Sequence, residues 1–433
     1  MSQALTDFTY KQVEIISLDG SKRIDLTNSI LFSDYYEDIL SPCITMNLQI
    51  VSPYSIFNGM PIRGGEKVVL NLETPSGEFK LDGEYGLYVY KVSGLVSSST
   101  KEMFTLHLVS KEALTNETVR VQKKYAKSSI SDHVTSILKD QLKTKKFKSE
   151  NIEKTANSYS FIGTMKKPLH ILTWLCPKAI PSSSANSGNS GTIAKGVAGF
   201  LFYETKDGFN FRSIDTLVAP TKSQSGSTDK ENIPKYTYTQ VVEEGSLQAS
   251  FTILNYGFEK NIDLMKSLRV GMYSNVTYFY DLYENKIERI TYSMNEEVKH
   301  TLGGNAKPPF PKEFGSRPSR ILFRSSDTGI LDTGNDKEDA GRDNTDMAKS
   351  FTRYNLLFTQ AINMTVPLNV KLRAGNIIYA QFQEVTSSVE SKVDEEQSGN
   401  YLIKELRHHF ESGELVTALK LVRDNYGLYG ANQ

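Results

Sequence analysis

Arg63-Gly64-Gly65-Glu66-Lys67 opens the alternating run Val68-Val69-Leu70-Asn71-Leu72-Glu73, and 310 positions later Arg373-Ala374-Gly375-Asn376 opens Ile377-Ile378-Tyr379-Ala380-Gln381-Phe382. Each run leads to a strand carrying Tyr three residues before Lys: Tyr88-Val89-Tyr90-Lys91 and Tyr401-Leu402-Ile403-Lys404. Each of these leads across a polar turn to another alternating strand, Leu106-His107-Leu108-Val109 and Leu419-Lys420-Leu421-Val422. From Lys91 to Leu106 is 15 residues, and from Lys404 to Leu419 is also 15. The matched positions are therefore Arg63, Gly65, Tyr88 and Lys91 against Arg373, Gly375, Tyr401 and Lys404. One β-module built twice gives a chain more apparent symmetry than its copy number.

Working outward, residues 10–115 read as short strands between turns. Asp19-Gly20 between two apolar runs is a hairpin signal. Val68, Leu70 and Leu72 share one face, and Phe104, Leu106 and Leu108 repeat that period of two. Residues 1–115 are thus expected to form a small antiparallel β-barrel or sandwich. Residues 116–235 change character. Ser129 and Asp132 have capping-box spacing, and Ile130, Val134, Ile137, Leu138 and Leu142 fall on one helical face. The Lys-rich stretch after it, 139–148, reads as a solvated helix end. Pro168 suits the first turn of another helix, and Asp207-Gly208 joins two aromatic strands. Together these predict an inserted α+β domain, interrupted by a Ser/Gly/Asn-rich loop over 182–191.

Residues 236–345 read as strand-rich, with a short helix at 261–268, a hairpin over 276–291 and a long Gly/Pro/Asp-rich loop over 303–346. A third helix is expected from Asn344 or Thr345, carrying Met347, Phe351, Tyr354 and Phe358. Residues 346–433 carry the second copy of the echoed module and are expected to form a second barrel. The predicted fold class is mainly β with α+β insertions: two similar small antiparallel β-barrels plus inserted smaller domains.

The bulk composition narrows the function. The 433 residues carry 50 Lys+Arg and 50 Asp+Glu, so the net charge of zero gives no whole-chain attraction to nucleic acid or membrane. Two cysteines, Cys43 and Cys176, predict free thiols rather than a disulfide scaffold. The first residues have no basic and apolar leader pattern, and no apolar run reaches membrane-span length.

No catalytic constellation stands out. There is no Gly-x-Ser-x-Gly elbow and no phosphate-binding Gly-Lys-Ser/Thr. His408-His409 on a strand point to opposite faces and cannot readily share a metal. His107, His133, His170 and His300 lack ligand spacing. The Asp327–Asp346 loop has no EF-hand spacing. Glu243-Glu244 could join another carboxylate only through folding. The expectation is no enzyme, no cofactor and no metal. A competing reading is a glycan- or receptor-binding module with an aromatic platform at Tyr278, Phe279, Tyr280 and Tyr283.

Several stretches carry a resemblance. Asp343-Asn344-Thr345-Asp346 before a helix, Tyr354-Asn355-Leu356-Leu357-Phe358, Thr365-Val366-Pro367 and Leu372-Arg373-Ala374-Gly375-Asn376-Ile377 resemble the central baseplate hub proteins of T-even-like contractile-tailed phages. Ser398 to Lys404 with Thr417 to Asp424 is similar to that family's last hairpin, shared with related injection machines. Ser160 to Gly163, the Trp174 helix and the 200–212 hairpin are similar to its inserted domain. The resemblance implies a non-enzymatic homotrimeric hub with two similar barrels per subunit, the second assembled discontinuously from 346–433 and part of 236–300. Three copies form a pseudo-sixfold ring that adapts a sixfold tail tube to a threefold central spike and passes DNA. It implies as partners the chain itself, the spike, tail tube or tube-initiator proteins, other baseplate subunits and the tape-measure protein, without membrane insertion. The implied location is the virion tail baseplate, assembled in the host bacterial cytoplasm.

Overall fold

A computed structural model describes residues 8–98, 100–182, 198–218, 233–238, 247–260, 263–281, 285–293, 302, 317–326, 337–384 and 392–424. The early strands are β1 (Thr9–Ile16), β2 (Arg23–Asp25), β3 (Ile30–Asp38), β4 (Thr45–Ser52), β5 (Lys67–Thr74), β6 (Gly77–Leu81), β7 (Leu87–Ser97) and β8 (Glu102–Val109). They alternate as expected: in β4 and β5 every second residue is buried. A strand with one face in a core must bury alternate side chains, and that fixes its register.

The next residues build the inserted layer. β9 (Lys124–Ser129) pairs with β10 (Ser158–Ile162), and β11 (Phe200–Thr205) forms a hairpin with β12 (Gly208–Ser213). The helix Ile130–Ser136 starts where the capping signal puts it: Asp132 N–H donates to Ser129 Oγ at 3.1 Å. The helix Pro168–Leu175 buries Leu169, Ile171, Leu172 and Leu175. These elements share a core of their own with Phe200, Phe202, Phe209 and Phe211.

Further on come β13 (Lys235–Thr237), β14 (Asn255–Lys260), β15 (Ser274–Asp281), β16 (Lys286–Ser293) and β17 (Arg320–Ser326). β15 pairs antiparallel with β16 and parallel with β17 in a separate three-stranded sheet. β17 lies inside the stretch read as a loop over 303–346. The helix expected from Asn344 spans Lys337–Leu357, so it too begins inside that stretch. Polar composition hid both: β17 is flanked by Ser and Arg, and the first helical turns carry Asp and Gly. The loops at 183–191, 303–316 and 327–336, and Glu243-Glu244, lie outside the described residues. The final strands are β18 (Gln360–Pro367), β19 (Ile377–Gln381), β20 (Gly399–Glu411) and β21 (Glu414–Arg423).

The echo becomes topology. The early strands lie side by side in the order β3-β4-β8-β7-β5-β1, the late ones in the order β14-β18-β21-β20-β19-β13. In chain order these are β1, β3, β4, β5, β7, β8 and β13, β14, β18, β19, β20, β21, so each strand has a counterpart in sequence and in space. One pairing differs in direction: β1 runs antiparallel to β5, whereas β13 runs parallel to β19. Between β3 and β4 lies a short turn; between β14 and β18 lie the three-stranded sheet and the long helix.

The mainly β fold with α+β insertions stands, but two separate closed barrels are not what forms. Among the described residues the two strand sets make one 14-stranded sheet, joined where β20 pairs antiparallel with β3. β1 approaches β3 by side chains, Tyr10 Oη lying 2.9 Å from Ser33 Oγ, and no ladder closes that gap. The physical reason is the edge of β3: β20 occupies the hydrogen-bonding positions that a closing strand would need. One hydrophobic core, from Val13 and Leu48 to Ile403 and Leu421, runs through both sets.

Candidate assembly interface

The β20–β3 seam is the joint on which the architecture turns. Glu405 to Glu411 lie opposite Asp38 to Phe32 in an unbroken antiparallel ladder. On the core side His408 stacks on Tyr35, its register partner, with ring centroids 6.0 Å apart and planes 12° apart. His408 Nδ1 lies 3.0 Å from Thr417 Oγ1. Burial, together with the nearby Arg373 charge, depresses the His408 imidazole to about 3. On the other face Arg407 Nε donates to Asp34 Oδ1 at 2.7 Å, and His409 Nδ1 meets the same oxygen at 2.7 Å. Lys404 pairs with Asp38 at 3.3 Å and with Glu405. His409, Glu411 and Glu414 have ligand atoms within 4.8 Å of one another. The His409 ring nitrogens are already taken by Asp34 and Glu411.

Glu37, also on β3, ties three segments together. Its carboxylate accepts from Tyr35 Oη at 2.8 Å, Lys206 N–H at 2.7 Å and Ala374 N–H at 2.8 Å. Burial raises its pKa, while Arg373 and these donors oppose the rise. The inserted layer is held by a second buried knot. Lys146 Nζ lies 2.8 Å from Glu112 and 3.4 Å from Glu204, and Glu204 accepts the Ile44 N–H at 3.2 Å. Burial pushes the Glu204 carboxyl up to about 7 against the pull of Lys146. A third knot joins the long helix to the end of β21: Arg353 contacts Asp215 at 3.1 Å and Asp424 at 2.9 Å. Each buried charge here answers an opposite charge or a backbone N–H at a boundary between segments, as joints require. An open groove of about 610 Å³ runs over the seam, lined in part by Tyr36, Asp38, Thr45, Thr365, Arg407 and Lys420.

The matched positions fall at corresponding turns. Gly65 N–H donates to Val89 O at 2.7 Å, and Gly375 N–H donates to Ile403 O at 2.8 Å. In return Val89 N–H donates to Glu66 O and Ile403 N–H to Asn376 O, both at 2.9 Å. Gly65 has φ +94° and Gly375 φ +87°, a left-handed conformation suited to glycine. Arg373 contacts Asp207 at 2.8 Å; burial works against its charge, and Glu37 and Asp207 hold it protonated. The Arg63 N–H donates to Glu66 Oε1 at 2.8 Å.

The Tyr and Lys pairs need a shift of one residue. Val68 faces Leu87 and Ile378 faces Tyr401, so Tyr401 stands where Leu87 does and Leu402 where Tyr88 does. Both strands then carry a bulge at the same rung, between Val89 and Lys91 and between Ile403 and Glu405. Equal sequence spacing had paired the strands one position out. Lys91 is exposed, whereas Tyr401 is buried beneath the Arg423 guanidinium, 4.7 Å from its ring.

Sequence reasoning passed over Asp34, Glu37 and Arg407, and weighed His409 only as a metal ligand. The signal was an acidic strand, Asp34 to Asp38, and a basic one, Lys404 to His409, of complementary charge but far apart in sequence. The aromatic platform divides: Tyr280 is exposed and Tyr278 stacks on exposed Phe323 at 5.4 Å, but Phe279 is buried and Tyr283 lies outside the described residues. Both cysteines are free thiols.

No family model matches the chain. It is 22% identical over 329 residues to the probable baseplate hub protein gp334 of Vibrio phage KVP40, covering 72% of this chain and 69% of that one. In fold it is similar to the tail protein from Neisseria meningitidis MC58, with TM-score 0.55 and 10% identity over 96% of both chains. It is also similar to the 43 kDa tail protein of prophage MuSo2 from Shewanella oneidensis, with TM-score 0.51 and 8% identity over 96% of this chain and 98% of that one. The likeness expected from the short motifs is thus met twice, in sequence by a probable baseplate hub protein and in fold by two tail proteins.

Proposed function

We propose that the chain is a structural hub of a contractile phage tail, three copies forming a pseudo-sixfold ring between the sixfold tube and the threefold spike. The observation that carries this reading is the doubled strand order, β3-β4-β8-β7-β5-β1 against β14-β18-β21-β20-β19-β13. A subunit with two similar faces, repeated three times, offers six near-equivalent positions to one neighbour and three to the other. Residues 1–115 and 346–433, with β13 and β14 from 236–345, supply the two ring modules. Residues 116–235 and the rest of 236–345 form accessory layers outside the ring. The lumen passes DNA, and the zero net charge avoids strong attraction to it. The spike, tube proteins, neighbouring baseplate subunits and tape-measure protein are the proposed partners; the protein acts without catalysis, in a virion assembled in the host cytoplasm.

Electron microscopy of the purified chain, alone and with its spike, tests this. Six-lobed rings of three chains are expected in at least one sample; compact monomers in both would overturn it. A second reading rests on Tyr278, Tyr280, Phe323, Ile321 and Ile287, which place apolar side chains on the same exposed sheet β16-β15-β17. That face suits a glycan or receptor surface, and glycan-array binding abolished by Phe323→Ala would favour it over a purely architectural role.

A further inference from the structure

The seam inside the chain has an open counterpart, whose two halves lie in different strand sets of the same chain. In the doubled order, β20 corresponds to β7 and β3 to β14. The second half of β20 pairs with β3. The second half of β7, Lys91 to Ser97, pairs only with β8, and β14 pairs only with β18 among the described residues. On β7, Leu95 is 53% exposed and Val96 58%, on a strand whose outer hydrogen-bonding edge is unfilled. An edge of this kind invites another strand.

We infer that β7 of one copy pairs antiparallel with β14 of a second copy, reproducing between chains the β20–β3 seam. The inference rests on the ring proposed above and names the strands that close it.

The register follows residue by residue. Through their shared partners, Arg407 corresponds to Ser93, His409 to Val96 and Phe410 to Ser97. Likewise Tyr36 corresponds to Lys260, Asp34 to Gly257 and Ser33 to Tyr256. Inside the chain Arg407 faces Tyr36, His409 faces Asp34 and Phe410 faces Ser33. Carried over, Ser93 faces Lys260, Val96 faces Gly257 and Ser97 faces Tyr256. The fit has an independent check. β7 has an extra residue between Ser93 and Val96 relative to β20, and β14 has one between Phe258 and Lys260 where β3 has none. The two irregularities meet at the same rungs, Gly94-Leu95 against Phe258-Glu259, so the transferred ladder stays continuous. A one-residue insertion on one strand alone would break such a ladder. The chemistry differs from the inner seam in a useful way. The Asp34–Arg407–His409 cluster is replaced by Gly257, Ser93 and Val96, small or apolar groups suited to contact between copies.

Two cysteines read this out. Directly opposed residues of an antiparallel pair have Cβ atoms about 4.5–5.5 Å apart, within reach of oxidative cross-linking. A Cβ added at Gly257 meets nothing within 4 Å, and Val96 is exposed, so Val96→Cys with Gly257→Cys should fold. In the preparation that shows rings, this double variant is expected to give covalent species up to three chains and no further. Either single variant is expected to give none. Rings that stay uncross-linked would overturn the strand pairing while leaving the hub reading intact. Equal cross-linking by Val96→Cys with Leu18→Cys would overturn it too. An absence of rings in every preparation would sink both. As a second probe, Leu95→Asp is expected to leave the circular dichroism and Tm of the monomer unchanged and to abolish rings. Rings unaffected by it would count against the pairing.

Discussion

Gly375 shows how much one hydrogen atom in place of a methyl group can decide. A Cβ there would lie 2.3 Å from the hydroxyl oxygen of Tyr203, a buried ring in the inserted layer, and φ is +87°. Gly375→Ala is expected to cost about 2–4 kcal/mol in urea unfolding, from overpacking and backbone strain together. At its counterpart Gly65 the added atom meets only the end of Leu18, an exposed and movable side chain, at 2.8 Å. Gly65→Ala should therefore cost only about 1 kcal/mol. His408 gives the same scale a pH signature. Its imidazole is held down at about 3, against 6.5 in the unfolded chain. The unfolded state therefore binds the extra proton first. The contribution of His408 is full above pH 6.5 and is lost as the pH falls from there towards 3, by up to about 1.4 kcal/mol per unit. His408→Asn should remove that part of the slope in denaturation curves measured across this window. An unchanged slope would assign the acid sensitivity elsewhere.

At the scale of the element, the informative object is a strand with two partners in succession. The first residues of β20 pair with β19 and the later ones with β3. In β7 the corresponding first residues pair with β5 and the later ones are open on that side. Hydrogen exchange followed by mass spectrometry should find slow amides along Glu405–Glu411. In the monomer the outward-facing amides of Lys91–Ser97 should exchange fast, then become protected when rings form. Equal protection of both strands in the monomer would contradict the open edge.

Most strands of the two modules were legible in sequence, because alternation in Val68-Leu70-Leu72 or Leu419-Leu421 marks a half-buried face directly. So was the Ser129 cap, whose signal is local. The joint between modules was not legible. Asp34 and Arg407 are an ordinary carboxylate and guanidinium until folding brings them together, and periodicity is silent about partners hundreds of residues away. The same silence left the Tyr88 and Tyr401 comparison one rung out, since equal spacing cannot reveal a bulge.

For the whole molecule, the continuous core means that the two modules should melt together. Calorimetry of the full chain is expected to show the 14-stranded sheet unfolding in a single transition, with Val13, Tyr35, Ile403 and Phe410 in one cluster. Residues 1–115 produced alone would expose the β3 edge and half of that core. They should bind a hydrophobic dye or aggregate, whereas a soluble fragment with a sharp transition would show the modules to be independent.

The intramolecular β20–β3 seam has a kinetic consequence. Two separate modules would have to meet by diffusion, at whatever concentration the surrounding solution supplies. Tethered on one chain, they meet at an effective concentration on the order of millimolar. In the proposed ring of three such chains, closure would then need three contacts between chains instead of six. Its assembly rate should depend on dilution far less steeply than that of a ring built from six free parts.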